Sequence, residues 1–316
     1  MKSRVLFVCA ALSLTAGCGA GDAIPEAIGV AASSGSSPPA VPSTYVSTSP
    51  NTIAASSSNT VTAPFQSGDE TATYYVPSAT TQISNNPGTP NGAMDQISTS
   101  NTVTIASDAN DNISSVAFNI STGGISFTPT FTGSAISYSS PFIEGTNGNT
   151  PGPSDVQFFA QALSYSGWGV WDSEPSTGVQ YSGVFTFGIA TQPSSVPTTG
   201  TATYNGLTGG TGTNGPNSAF VFLGTAQVIA DFSSHSVNTT FSALTESNLT
   251  TSAQTSIPDI TGAATISGNE YTGSISGGGL SGKQSGFFYG PSAQETAGIW
   301  NATNGSTVLI GSYAAK

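Results

Sequence analysis

Between Gly200 and Lys316 the chain breaks into eight short β-type runs separated by turn residues. The runs are Gly200–Leu207, Ala219–Phe232, Val237–Leu244, Ile260–Ser267, Tyr271–Ser276, Lys283–Tyr289, Glu295–Thr303 and Thr307–Ala314. Side chains alternate across a strand, so a period of two assigns each residue to a face. Ala226, Val228, Ala230 and Phe232 fall on one face, with Thr225, Gln227 and Asp231 on the other; Val237, Thr239 and Phe241 share a face. Eight antiparallel strands can close on themselves and leave no free edge. A barrel of that size has an interior filled by side chains or by one small ligand.

Composition agrees with an all-β chain. Thr, Ser and Gly abound, β-branched residues recur throughout, and the apolar share is 36%, high enough to build a core. The four basic residues are Lys2, Arg4, Lys283 and Lys316, and the first two lie in a leader. Without that leader, two lysines stand against sixteen acidic residues, a formal charge of −14. Nucleic acids and anionic lipid surfaces are poor ligands for such a chain, because phosphate binding needs cations.

The leader is a basic start, Met1-Lys-Ser-Arg4, and an apolar run from Val5 to Leu14, of signal-peptide length and too short to span a bilayer. Leu14-Thr-Ala-Gly-Cys18 then resembles a bacterial lipobox, which implies cleavage before Cys18 and lipid on its sulfur. The plainer reading is an ordinary cleavage site, but Cys18 would then be the only thiol of the exported chain, since Cys9 is lost with the leader. Gly19 stands where inner-membrane retention signals place Asp, so the outer membrane is the expected destination.

The expected organisation is therefore a signal peptide at 1–17, then a lipidated Cys18 with a Ser/Pro/Gly tether to residue 59. Some 40 flexible residues reach on the order of 35 Å. A β-rich region covers 60–195 and the barrel 196–316. In the β-rich region, Gly124-Ile-Ser-Phe-Thr-Pro-Thr-Phe131 places Ile125, Phe127 and Phe131 on one set of positions. Asp108 and Asp111 lack the spaced carboxylates and closing Glu of an EF-hand and read as an Asx-rich turn.

Two blocks carry a family resemblance. One is Gly286-Phe-Phe-Tyr-Gly290-Pro-Ser-Ala-Gln-Glu295-Thr-Ala-Gly298-Ile-Trp300, in which two β-runs meet at a Gly-Pro corner and an acid opens the second. The other runs from Tyr165-Ser-Gly-Trp168-Gly-Val-Trp171 through Val184-Phe-Thr-Phe-Gly188 to Val196-Pro-Thr-Thr-Gly200-Thr-Ala-Thr-Tyr204-Asn-Gly206. Together they resemble the closing and entry motifs of the barrel domain shared by bacterial transferrin-binding protein B and factor H binding protein. The resemblance implies a β-rich handle domain before an eight-stranded barrel. It also implies a surface lipoprotein that binds an extracellular protein or solute, with an outer-membrane translocator or receptor as a further partner. Relatives capture host iron carriers, haemoglobin or complement regulators, so a link to iron or haem acquisition is expected.

The search for chemistry yields little. The single histidine, His235, lies in a polar turn, and no Gly-x-Ser-x-Gly elbow accompanies Asp231 and the many serines. One histidine and a lipid-committed cysteine make no metal set. Glu295 and Asp231 read as strand-end acids that accept from backbone N–H groups. Gly277-Gly-Gly279 reads as a hairpin turn rather than a phosphate loop. Trp168, Trp171 and Tyr165 read as core or inter-domain filling ahead of a carbohydrate platform. The expected chain is not an enzyme and has no cofactor, catalytic or metal residue; its ligand-binding residues are unassigned. A structural or adhesive coat lipoprotein is the alternative, motivated by a Ser/Thr/Gly/Asn surface with few charges.

Overall fold

The computed structural model describes residues 163–316 apart from 177–178 and 216–217, and, before them, strand segments between 54 and 159 together with residues 101 and 128. The leader, Cys18, most of the expected tether and the Asp108/Asp111 turn lie outside the described residues. In chain order the first strands are β1 (Ala54–Ala55), β2 (Thr71–Tyr75), β3 (Ser78–Gln82), β4 (Ala93–Asp95), β5 (Thr102–Ser107), β6 (Ile113–Thr122) and β7 (Ile125–Phe127). Then come β8 (Thr130–Thr132), β9 (Ile136–Ser139), β10 (Phe142–Asn147), β11 (Ser154–Phe159), β12 (Ser166–Ser176) and β13 (Val179–Gly188). The remainder are β14 (Thr201–Asn214), β15 (Ala219–Asp231), β16 (Ser236–Asn248), β17 (Gln254–Ser256), β18 (Ile260–Ser267), β19 (Glu270–Gly277), β20 (Leu280–Tyr289), β21 (Glu295–Thr303) and β22 (Thr307–Ala315).

These strands form three antiparallel sheets. The first runs β1-β2-β5-β6-β7, with β8 also on β6; the second runs β4-β3-β13-β12-β11-β10-β9. β1, paired with β2 at Ala54 and Ala55, lies within the stretch expected as tether. The third sheet runs β15-β14-β22-β21-β20-β19-β18-β16 and closes through β15–β16, with β17 attached to β16. The chain is all-β and its last 116 residues hold a closed barrel of eight strands, as the alternation predicted.

Burial separates the covered from the open wall of the barrel. β15 alternates, with Phe220, Phe222, Ala226, Val228 and Ala230 buried and Thr225 and Gln227 exposed, and Val237, Thr239 and Phe241 of β16 are buried in the same way. β21 and β22 are buried almost continuously: Ala297, Ile299, Val308, Ile310 and Ala314 are covered although they point away from the barrel interior. A strand covered on both faces reads as an unbroken apolar run. The cover is the second sheet, whose β12 and β13 pack on β14, β21 and β22.

That central sheet uses both faces. Trp171, Gly183 and Phe185 point toward the first sheet, where Trp171 stacks on Phe127 (4.2 Å between centroids, 15° between planes) and Phe185 meets Phe118 edge-on at 5.3 Å. Trp168, Val170 and Val184 alternate to the other face, toward the barrel. The three tryptophans share one device, a glycine beneath the ring. A Cβ on Gly183 would stand 2.2 Å from Trp171, one on Gly311 2.4 Å from Trp300, and one on Gly209 2.6 Å from Trp168. Real side chains do not approach so closely, so each indole rests directly on backbone.

The barrel interior is filled by side chains. Trp300 stacks on Phe241 (5.0 Å, 16°) and leans on Phe222 (5.4 Å), while Phe288 joins Tyr204, Phe232 and Tyr271 at 6.2, 5.3 and 5.3 Å. A chain of hydroxyls crosses this core. Thr296 Oγ1 donates to the Phe287 carbonyl at 2.9 Å, so it accepts from Tyr271 at 2.6 Å, and Tyr271 in turn accepts from Tyr313 at 2.6 Å. Each of these three hydroxyls donates once, so none of the three is left unpaired.

Gly311→Ala forces a methyl into the Trp300 ring and is expected to lower stability by about 1–3 kcal/mol, read from the urea midpoint. Burial raises the Tyr271 hydroxyl to about 12 and holds Tyr313 above its usual range. Both stay neutral when folded but ionise near pH 10 when unfolded, so stability is intact below about pH 10 and falls as pH rises toward 12. Absorbance at 295 nm and near-UV circular dichroism should then change together.

Candidate binding surface

The two ends of the barrel differ. The proximal end carries the turns 232–235, 268–269 and 290–294 and receives the chain from the central sheet. It is closed by main-chain and side-chain bonds. Thr191 N donates to the Phe288 carbonyl (2.9 Å) and Gly290 N to the Ile189 carbonyl (2.8 Å). Asn269 Nδ2 donates to the Thr191 carbonyl (2.7 Å), Thr191 Oγ1 to the Gly290 carbonyl (2.6 Å), and the Tyr204 hydroxyl to the Ala293 carbonyl (2.7 Å).

Glu295, the first residue of β21, completes that closure. It is 2% exposed. Its Oε1 accepts from Ser164 N at 2.6 Å, and its Oε2 from Tyr165 N and Ser166 Oγ, both at 2.9 Å. Successive N–H groups at 164 and 165 make a small anion nest. The donors are backbone N–H groups, as expected for a strand-end acid, but they come from the entry to β12 rather than from Glu295's own neighbourhood.

The other residues singled out in the sequence do not converge on a reaction centre. Asp231 closes an exposed Asx turn through Ser233 N (2.9 Å) and Ser234 N (3.2 Å). The Ser234 N–H is the main cause that holds its carboxyl below the usual range, with smaller help from His235. His235 is exposed and stands at φ 54° in the left-handed region, which fixes the turn. Trp168, Trp171 and Trp300 are all buried and offer no ring face for a sugar to stack on. Among the described residues no group of three or more His, Cys, Asp or Glu could hold a metal ion.

On the barrel, with the interior filled and the proximal end closed, the described surface that stays open is the distal end and the wall beside it. The distal end carries residues 215, 218, 249–259, 278–279 and 304–306. Two asparagines brace it. Asn304 Oδ1 accepts from Ser306 N (3.1 Å), Thr307 N (2.9 Å) and Ser306 Oγ (3.0 Å), and Asn248 Oδ1 from Thr250 N (2.9 Å) and Thr251 N (2.8 Å). Such Asx turns fix loop shape before any ligand arrives, which lowers the entropy lost on binding. The wall carries few charges: Asn205 and Gln227 bond at 3.1 Å, Thr225 and Ser242 at 3.0 Å, Lys283 is an exposed cation, and Asp231 and Glu270 are half-buried acids.

Asn304→Ala removes the acceptor of three bonds and is expected to cost about 1–2 kcal/mol, with faster amide exchange confined to 305–307. His235→Ala should leave the melting temperature within about 2 °C of the parent, as for an exposed turn residue; a larger loss by calorimetry would give His235 a role its exposure denies it.

Residues 196–316 match the family model described as the C-lobe and N-lobe beta barrels of Tf-binding protein B. A comparison with curated proteins found no match. Similar solved structures include a mutant of transferrin-binding protein B from Haemophilus parasuis Hp5, at 15% identity and TM-score 0.46, covering 79% of this chain and 46% of that one. The isotype 1 protein from serogroup B Neisseria meningitidis follows at 14% identity and TM-score 0.42, covering 72% and 51%. HpuA from Kingella denitrificans, solved with human haemoglobin, has 15% identity and TM-score 0.37, covering 85% and 92%. This chain spans roughly half the length of the first two. The residues matched by that family model, 196–316, are those of the closed eight-stranded barrel.

Proposed function

We propose that this chain is a surface-exposed outer-membrane lipoprotein that binds an extracellular protein or solute without catalysis. The observation that carries the reading is the family match over a barrel whose interior is filled and whose distal end is braced by Asn248 and Asn304. A rigid scaffold with shaped loops suits recognition. In this reading Cys18 carries the lipid, residues 18–59 tether the head, and 60–195 and 196–316 are its handle and barrel. The membrane is then a partner through the lipid, and an outer-membrane translocator or receptor is a second. The matched family names a transferrin-binding protein, so iron carriers and haem-bearing proteins are the first ligands to try.

The head, immobilised without its lipid, should retain one such protein saturably, and Asn304→Ala together with Asn248→Ala should weaken retention more than it lowers stability. A head that retains only lipid or wall material, or that self-associates in sedimentation, would favour the adhesive coat reading instead. Protease added to intact cells should digest the head while a periplasmic control survives. Protection of the head until lysis would remove the extracellular ligand from the proposal.

A further inference from the structure

Seven of the eight barrel pairings join strands that follow one another along the barrel, from β14–β15 to β21–β22. The eighth, β14–β22, joins the first to the last. It runs in register from Gly206↔Ala315 to Asn214↔Thr307, and just beyond it Asn205 and Lys316 exchange backbone bonds of 2.9 and 3.2 Å. Every other pair is joined by a short connection, the longest being 249–259 between β16 and β18, whereas this seam closes a loop on the order of 100 residues, the largest chain-entropy cost in the barrel.

The central sheet lies across that seam. β12 and β13 pack on β14, β22 and β21, which are the two seam strands and their neighbour. Trp168 rests over Gly209 of β14, Ser312 Oγ of β22 donates to the Gly169 carbonyl at 3.3 Å, and Glu295 of β21 grips the entry to β12. On the wall away from the seam, outward residues such as Asn238, Thr261 and Thr265 are exposed. The cover is thus placed over the one barrel pairing that no short connection supports.

We propose that the central sheet is a strap that holds the barrel seam shut, that Glu295 fastens the strap, and that the barrel opens first along β14–β22 when the strap lifts. Glu295 is a positioning residue here, since it acts on the seam through β12. The opened form bares the edges of β14 and β22, which makes the seam a built-in line of conformational change. The proposal is independent of which ligand the molecule binds.

Hydrogen exchange on the full-length chain tests it. In Glu295→Ala, amides of 207–213 and 308–314 should exchange at least about tenfold faster, since charge-assisted bonds to buried donors are lost. Amides of the β15–β16 and β18–β19 pairs should keep their parent rates. Glu295→Gln retains one carbonyl acceptor and should fall between. Equal acceleration across all barrel strands, or unchanged seam amides, would overturn the proposal. If the alanine variant does not fold, the parent protein in low denaturant gives the same reading: seam amides must exchange through an opening smaller than global unfolding. Exchange of those amides only through global unfolding would overturn it.

Discussion

The structure depends on one buried carboxylate. Glu295 sits at the corner where β20 turns into β21, and its two oxygens are satisfied by the chain entering β12, some 130 residues earlier. A buried acid in most proteins is matched by an arginine or lysine. This chain has almost none to offer, since its described lysines, Lys283 and Lys316, are exposed. Backbone N–H groups supply the compensation instead, and they do so only if residues 164–166 adopt one shape at one place. That requirement fixes where β12 begins, hence how the central sheet lies on the barrel, hence why β21 and β22 are buried on both faces.

The same arrangement limits what the barrel does. Its interior is occupied by Trp300, Phe241, Phe288 and their neighbours; the Tyr313, Tyr271 and Thr296 hydroxyls pair there, and Trp300 Nε1 donates to Thr208 Oγ1 at 3.1 Å. Recognition is left to the outside. There amides and hydroxyls such as Asn205, Gln227, Thr225 and Ser242 stand beside the charged groups of Asp231, Asp259, Glu270 and Lys283. Tight packing within and braced turns at the distal end serve the same purpose, a surface that changes little on binding.

Much of this was legible in the sequence where the physics is local. Alternation in β15 and β16 identified the inward faces, because a wall open to water must alternate. The expected run Thr307–Ala314 matches β22, but that the strand is covered on both faces emerges only from the structure. The reading of Trp168 and Trp171 as filling between layers agrees with their burial. β14 was harder: the glycines at 206, 209, 210 and 212 look like a turn, and the expected run ended at Leu207, yet the strand continues to Asn214. Those glycines admit close packing, Gly209 beneath Trp168 among them, and only the tertiary partner reveals it. The destination of the Glu295 carboxylate was beyond reach for a related reason. Nothing near residue 295 names donors at 164–166, since an anion nest is made of backbone and leaves no trace in side-chain identity.

A double-mutant cycle between Glu295→Gln and Ser166→Ala, followed by urea unfolding, tests the central claim most directly. If the carboxylate joins the barrel to the central sheet, the two changes should couple by about 1 kcal/mol or more. Additive losses, within about 0.3 kcal/mol, would mean that the contact carries no energy and that the sheet is held on the barrel by apolar packing alone.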